Sequence, residues 1–425
     1  MNVSVFPRSI PMPRRQWLAA GIFLFFAALS IQYAFKVSDE HRSAILRWRP
    51  QIQQIHDVDI YERFTYPNPP IMALLLKPLV HLPPFAGSLA WFYLKVGMTL
   101  AALYWVFKLV ETPARTFPSW AKALVILLSL RPIMGDLSHG NVNLFILFLV
   151  IGALYAYHHG ADFATGAILG LAVACKVTPA LFVPYFLWKR AWTALGGFAI
   201  GLVLFLFLVP GLSLGMARNV ELVHSWYQSM VKPYLVDGQV TTEHVNQSLP
   251  GLVYRWFSAG TAIDSKGNSN EIGAIAELEP GVLRWIVKGF MGVFALIVIW
   301  TCRTPTLPRH GWRLAAEFSI ILLGMLLFSE RTWKHHCVTL LLPFSVVVYY
   351  LAVYSLGPLL RFYLIGTLLT VMVFMMATST GLVDRWDHTA RLAQADGAYV
   401  WAYFLLIAAL AVVLRQRDRT VTEAV

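Results

Sequence analysis

The 425-residue sequence predicts an all-α, polytopic membrane protein. Three observations predict it. Hydrophobic residues make up 58% of the chain and charged residues only 13%, which leaves too little polar surface to coat a water-soluble globule of this size. Apolar runs such as Trp17 to Phe35 and Asn143 to Tyr157 recur near the roughly 20 residues that a helical crossing of a ~30 Å hydrocarbon core needs. The arginines gather at the ends of these runs, as the positive-inside rule describes. The net charge of +12 is therefore read as a membrane-orientation signal, with membrane lipids as partners and no nucleic acid.

In chain order, spans are expected near 17–35, 87–108, 120–135, 142–158, 193–210, 283–302, 312–328, 337–354, 359–377 and 398–414. The first run follows Arg14 and Arg15, is long and lacks a small-residue cleavage site, so it reads as an uncleaved span. Residues 163–188 form two short apolar pieces split at Cys175-Lys176-Val177-Thr178-Pro179, a broken helix or a pair of short membrane helices. Non-helical backbone at membrane depth must be shielded from lipid, so a cavity is expected beside the break. If both pieces cross, there are about 12 membrane helices. Arg14/Arg15, Arg115, Lys189/Arg190, Arg303/Arg309/Arg313, Arg361 and Arg415/Arg417/Arg419 then share the cytoplasmic face with both termini.

That topology leaves residues 36–86 and 211–282 outside as the two long segments of a single integral membrane domain, 1–425. Amphipathic stretches Ser43 to Ile55 and Val220 to Tyr234 are expected to lie along the outer interface as helices. Residues 135–140, 329–336 and 377–398 join them on the same side. No internal repeat is visible. Cys175, Cys302 and Cys337 are odd in number and form no C-x-x-C pair, so neither a disulfide framework nor a zinc site is implied.

Charged residues beside membrane spans are costly unless paired or facing water, which singles out three outer clusters. Lys36 to Arg42 includes Asp39, a carboxylate suited either to general-base work on a hydroxyl or to capping the next helix. His56 to Pro70 includes Asp59 and Glu62 as alternative bases, and its consecutive prolines give a stiff extended wall or connector. Ser329 to His336 carries Arg331, Lys334, His335 and His336, which suit either a lipid-linked phosphate or simple interfacial anchoring. Adjacent histidines without an H-E-x-x-H pattern do not read as metal ligands, and no cofactor is expected. Lys176, alone in an apolar stretch, needs a phosphate or carboxylate partner or a route to water. For Arg131, Lys95 and Glu317 internal ion pairing is the default.

The motifs as a series resemble glycosyltransferase family 87, the polyprenol-phosphate-mannose-dependent mannosyltransferases and their relatives. The resemblance runs through Phe64 to Pro70 with Lys77-Pro78-Leu79 and Leu82-Pro83-Pro84; Gly140-Asn141-Val142-Asn143; Gly166 to Pro179; Asn246-Gln247-Ser248-Leu249; and Ser329 to Pro343. Three positions depart from the family's usual pattern. Asn68 stands between the prolines, Asn141 replaces Gln, and Glu330 follows Ser329 where Pro is commoner. The resemblance implies a C-type glycosyltransferase helical bundle in the cell (inner) membrane, with its site on the periplasmic, outer side. A polyprenyl-phosphate-linked sugar would be the donor and a lipid or glycan the acceptor.

It also implies a base after the first span, Asp39, with Asp59 as runner-up. Lys176, Arg331, His335 and His336 are expected at the donor phosphate, and Tyr66, Asn68, Asn143 and Asn246 at the substrates. An attack by the acceptor hydroxyl in line with the departing phosphate would invert the donor anomer. The rival class is a multi-pass transporter or lipid flippase, which also uses a broken helix and intramembrane charge.

Overall fold

The computed structural model describes residues 14–37, 43–64, 66–112, 114–258, 262–263, 269–270, 275–307, 309, 311–379 and 387–416. Each apolar run becomes a helix. Arg14–Val37, Pro84–Val110, Ser119–His139, Asn143–His158, Trp192–Val203, Pro280–Thr301, Trp312–Leu327, Leu341–Val353, Pro358–Ala377 and Ala398–Arg415 match the expected spans. Six helical stretches are long and apolar enough to cross a membrane: Pro84–Val110, Trp192–Leu214, Pro280–Thr301, Lys334–Val353, Pro358–Ala377 and Ala398–Arg415. Proline opens several of them, where a missing N–H costs nothing and the fixed φ favours the first turn.

Two helices form the centre. Every residue of Trp312–Leu327 except Arg313 is buried, as is Leu341 to Tyr350 of its neighbour. Around them, Pro280–Thr301 and Pro358–Ala377 expose Trp285, Leu296, Leu359 and Phe362, the apolar exterior that a lipid solvent permits.

Residues 163–188 do break. The helix Asp162–Cys175 stops where Lys176 turns extended, a 3-10 turn Thr178–Leu181 follows, and Phe182–Trp188 resumes. Pro179, with no N–H to give, sits in the first turn after the break. The first piece is held by close packing of small residues: a Cβ on Gly166 would overlap Ala194 O, and one on Gly197 would overlap Phe163 O.

The span after it also departs from a plain helix. Pro210 cannot donate to Leu206 O, the ladder widens to a π turn over Leu204–Leu208, and Asn219 Nδ2 fills the freed acceptor at 3.0 Å.

The segment 36–86 holds more than interfacial structure. Ala44–Gln53 and the short Ile60–Phe64 precede an apolar helix, Pro70–His81, whose 12 residues span roughly 18 Å, too short for a full crossing. In 211–282 lie Met216–Trp226, Lys232–Leu235 and Leu249–Phe257, with a small antiparallel pair, Ala262–Ile263 and Ser269–Asn270.

The bundle has two chemically distinct ends. At one, Arg115 lies over Tyr354, Arg309 pairs with Asp162, Arg313 donates to Leu414 O, and Lys189 donates to Thr304 O. At the other, Trp91 donates to Gly140 O, Asn141 meets His335, Gln247 donates to Gln394 O, and Lys334 donates to Thr378 O. The basic helix ends assemble on one side and the polar segments expected to meet do so on the other.

Candidate functional site

The site grows from a helix terminus. Ser119–His139 ends because Gly140 adopts the left-handed conformation, φ 65°, and its N–H closes back on Asp136 O and Leu137 O. This stop fixes Asp136 inside the bundle, with its side chain 0% exposed. Lys95, equally buried, lies 3.4 Å from Asp136 Oδ2 and donates to Asp136 O at 2.7 Å. The pairing expected for Lys95 is present, as is the one for Glu317, whose Oε2 is 2.7 Å from Lys189. Arg131 differs: it donates to the Thr378 hydroxyl at 3.2 Å.

Asp136 then orients the next residue. Asn143 Nδ2 donates to Asp136 Oδ1 at 2.9 Å, which obliges Asn143 Oδ1 to face away, where Lys176 Nζ donates to it at 2.6 Å. One carboxylate thus serves two ammonium groups, directly for Lys95 and through an amide for Lys176. The Lys176 ammonium reaches Asp136 only through an amide, and an incoming anion would compensate it directly.

Lys176, Asn143 and His336 line a small polar pocket together with Thr178, Ser329 and Thr332. The histidines come from the 3-10 helix Lys334–Leu340, in which successive side chains point about 120° apart. Their rings meet edge to face, centroids 4.7 Å apart and planes at 88°. His336 faces the Lys176 pocket and stacks on Trp333, whereas His335 packs against His139 at 4.8 Å and meets Asn141 Nδ2 at 3.1 Å.

The pocket opens into a groove of about 880 Å³ that shares Thr178, Met325 and Ser329 with it. Leu181, Pro184 and Leu187 of the broken helix line it, with Phe294 and Val298 opposite, and it reaches Tyr185 and Trp188 toward the basic end. The expected cavity beside the break is therefore present. A small pocket bearing Lys176 and His336 thus adjoins a long apolar groove.

The other sequence-derived candidates divide. Tyr66 is fully buried beside Trp48, and Asn68 is nearly so. The Tyr66 hydroxyl and Asn68 Nδ2 find no hydrogen-bond partner among the described residues. The helix that Pro70 begins packs on Asp162–Cys175, which sets this proline-stiffened segment behind the broken helix.

Asn246, expected at the substrates, is instead spent inside the protein. Its Nδ2 donates to Thr241 O and Glu330 O, and its Oδ1 accepts from Thr332 N and Ser248 N. With Gln247 N donating to Thr332 O at 2.6 Å, the Asn-Gln-Ser motif braces the 330–332 turn from behind.

Asp59 accepts from Tyr61 N at 2.8 Å and Glu62 N at 3.3 Å, which makes it the cap of Ile60–Phe64. Asp39 lies outside the described residues. Its flanks do not: Val37 and Ser43 are buried, and Ser43 Oγ, 3.4 Å from Tyr33 Oη, packs against Gly140 at the edge of the site.

Arg331 donates from Nη2 to Thr241 Oγ1 at 3.0 Å and lies over Trp333, on the outer rim beside Glu330. Burial pushes the Glu330 carboxyl above the usual carboxylate range, opposed by the Arg331 guanidinium and the Thr241 hydroxyl. Asp136 was missed as a functional residue. A Gly-Asn stop following a short acidic turn was the only local signal for it.

The fold and this site define a membrane-embedded helical protein with a lysine-bearing pocket beside an apolar groove. Residues 64–329 match glycosyltransferase family 87, and the chain belongs to that family. Among curated relatives, a polyprenol-phosphate-mannose-dependent α-(1-2)-phosphatidylinositol mannoside mannosyltransferase of Mycobacterium tuberculosis is 32% identical over 157 residues, covering 33% of this chain and 36% of that protein. The enzyme of the same description from Mycolicibacterium smegmatis is 28% identical over 380 residues, 84% of this chain and 77% of its own length. The chain thus spans about a third of the first relative and three-quarters of the second. Among solved structures, ArnT from Cupriavidus metallidurans bound to undecaprenyl phosphate aligns over 93% of this chain and 78% of its own at 14% identity, with a TM-score of 0.37.

Proposed function

We propose that this protein transfers a sugar, mannose being the first candidate, from a polyprenyl-phosphate carrier to a hydroxyl of a lipid or glycan acceptor at the outer face of the membrane. The observation that carries the reading is the junction of the apolar groove with the pocket of Lys176, Asn143 and His336. An isoprenoid chain fits the first and a phosphate the second. The curated relatives, named for polyprenol-phosphate-mannose, support the same donor class. The clustering of basic helix ends at the far end of the bundle supports an outward-facing site with cytoplasmic termini.

In this mechanism the phosphodiester lies with its isoprenoid in the groove and its anion against Lys176. Asp39 takes the proton of the acceptor hydroxyl, whose oxygen attacks the anomeric carbon on the face opposite the phosphate. The anomeric C–O bond breaks, the anomer inverts, and polyprenyl phosphate departs with one more negative charge than the diester carried. Lys176 and His336 meet that growing charge, so the stabilisation is electrostatic and concentrated in the transition state. Phosphate leaves as an anion, and protonation of the leaving group is not demanded. The transporter alternative has no supporting observation beyond the broken helix and intramembrane charge it shares.

The test is purified protein with labelled polyprenyl-phosphate-mannose and a lipid or glycan acceptor. Transfer with release of polyprenyl phosphate is expected, and Asp39→Asn should abolish it while leaving polyprenyl-phosphate binding intact. Full activity in Asp39→Asn, with loss in Asp59→Asn, would move the base to Asp59.

A further inference from the structure

The donor groove has a single charged side chain in its lining among the described residues, Glu330, at the end where groove and phosphate pocket meet. A carboxylate there is out of place beside a phosphate site, because like charges away from bulk water repel. Yet the protein holds it in position. Thr241 Oγ1 donates to Glu330 Oε1, Arg331 Nε stands 3.7 Å from the same oxygen, and Glu330 O accepts from Asn246 Nδ2 at 3.0 Å. All these contacts leave Oε2 available to a ligand.

An ionised carboxylate accepts hydrogen bonds and donates none, so whatever it faces must donate. Within a polyprenyl-phosphate sugar the isoprenoid has no donor and the phosphodiester anion has none. The sugar hydroxyls are the only donors on the molecule. We infer that Glu330 reads hydroxyls of the transferred sugar and is a specificity-determining residue for which sugar is accepted. The inference rests on the transfer reading proposed above. Glu243, in the adjoining loop, lies near enough to Glu330 to raise that carboxyl's affinity for a proton, and the Arg331 guanidinium offsets the charge.

The experiment compares wild type and Glu330→Gln on a polyprenyl-phosphate sugar and its monodeoxy analogues. The parent is whichever of the mannosyl, glucosyl or arabinosyl phosphates wild type turns over. Inhibition by polyprenyl phosphate itself is measured alongside. Wild type should lose about 10- to 100-fold in kcat/KM on the analogue lacking the hydroxyl that Glu330 binds, the range for a hydrogen bond to a charged group. Glu330→Gln should already be reduced on the parent by a comparable factor and should treat that analogue and the parent alike, with inhibition by polyprenyl phosphate within about threefold of wild type. If Glu330→Gln slows every donor equally and keeps the wild-type discrimination, or if inhibition by polyprenyl phosphate weakens in step, Glu330 is structural and the inference is wrong. Wild type that neither binds polyprenyl phosphate nor consumes any of the three donors would instead refute the transfer reading, and this inference with it.

Discussion

Replacing Lys176 with Met isolates the charge that faces the pocket. The ammonium is held 2.6 Å from Asn143 Oδ1, and Asp136, the carboxylate behind that amide among the described residues, also pairs with Lys95. A phosphate about 4 Å from Lys176 at an effective dielectric of about 20 is attracted by roughly 4 kcal/mol. Stripping water from both ions offsets part of this, leaving about 2–4 kcal/mol, or roughly 30- to 1,000-fold in kcat/KM. The phosphate gains charge as the anomeric bond breaks, so the loss should fall more heavily on kcat than on KM. Sugar transfer from polyprenyl-phosphate-mannose, followed at varied donor concentration, reads both. Methionine keeps the unbranched shape and removes a part-buried cation with no direct carboxylate contact among the described residues, so thermal unfolding in detergent should be unchanged or later. A change of less than about threefold in both constants would refute the reasoning, as would a loss of activity that tracks a loss of fold.

Asp136→Asn should behave in the opposite way. It removes the carboxylate paired with the fully buried Lys95 and should cost about 3–5 kcal/mol, seen as a lower thermal midpoint. The double variant Lys95→Met/Asp136→Asn should recover most of that stability but not activity, because Asn143 loses the carboxylate that orients it. Ala295→Trp projects a large side chain into the groove from Pro280–Thr301. It should raise KM for a long-chain donor about tenfold or more and leave a two-isoprene donor nearly unaffected, since only the former needs the channel.

The pH profile tests Glu330, whose carboxyl burial raises while Arg331 and Thr241 oppose that rise and Glu243 adds to it. Its ionised form is the one that accepts hydroxyls, so kcat/KM should fall on the acid side through a limb lying above the ordinary carboxylate range. Glu330→Gln should lack that limb. For stability the sign is fixed by the same shift: folding gains from the protonated carboxyl below the unfolded-state value, and that gain is lost as pH rises through the raised one.

The helices were legible because apolar run length alone specifies them, and the break at Lys176 was legible because a lone lysine followed by Thr178-Pro179 has no helical explanation in lipid. The half-length helix Pro70–His81 was less visible, since its 12 residues merged with the proline-rich segment before it. Asp136 read as part of a connecting turn, and only the left-handed Gly140 reveals that the helix runs on to His139 and carries the carboxylate inward. Asn246 misled for a related reason. A polar motif in an outer segment suggests ligand contact, whereas here the amide substitutes for missing backbone partners around Glu330 and Thr332. A cavity beside the break was expected, but its apolar lining could not be read, because Leu181, Met230, Phe294 and Met325 come from four separate segments and each looks like ordinary membrane core.

The central claim is that the carrier's isoprenoid lies in the channel between the broken helix and Pro280–Thr301, with its phosphate on Lys176. A polyprenyl phosphate bearing a photoactivatable diazirine near its head, crosslinked to the full-length protein in membranes and mapped by mass spectrometry, tests it most directly. Labelling should fall on Met291, Phe294 and Met325 and be competed by unmodified polyprenyl phosphate. Competable labelling confined to the cleft of Phe92 and Met134, or to the outer face of Pro70–His81, would contradict the claim.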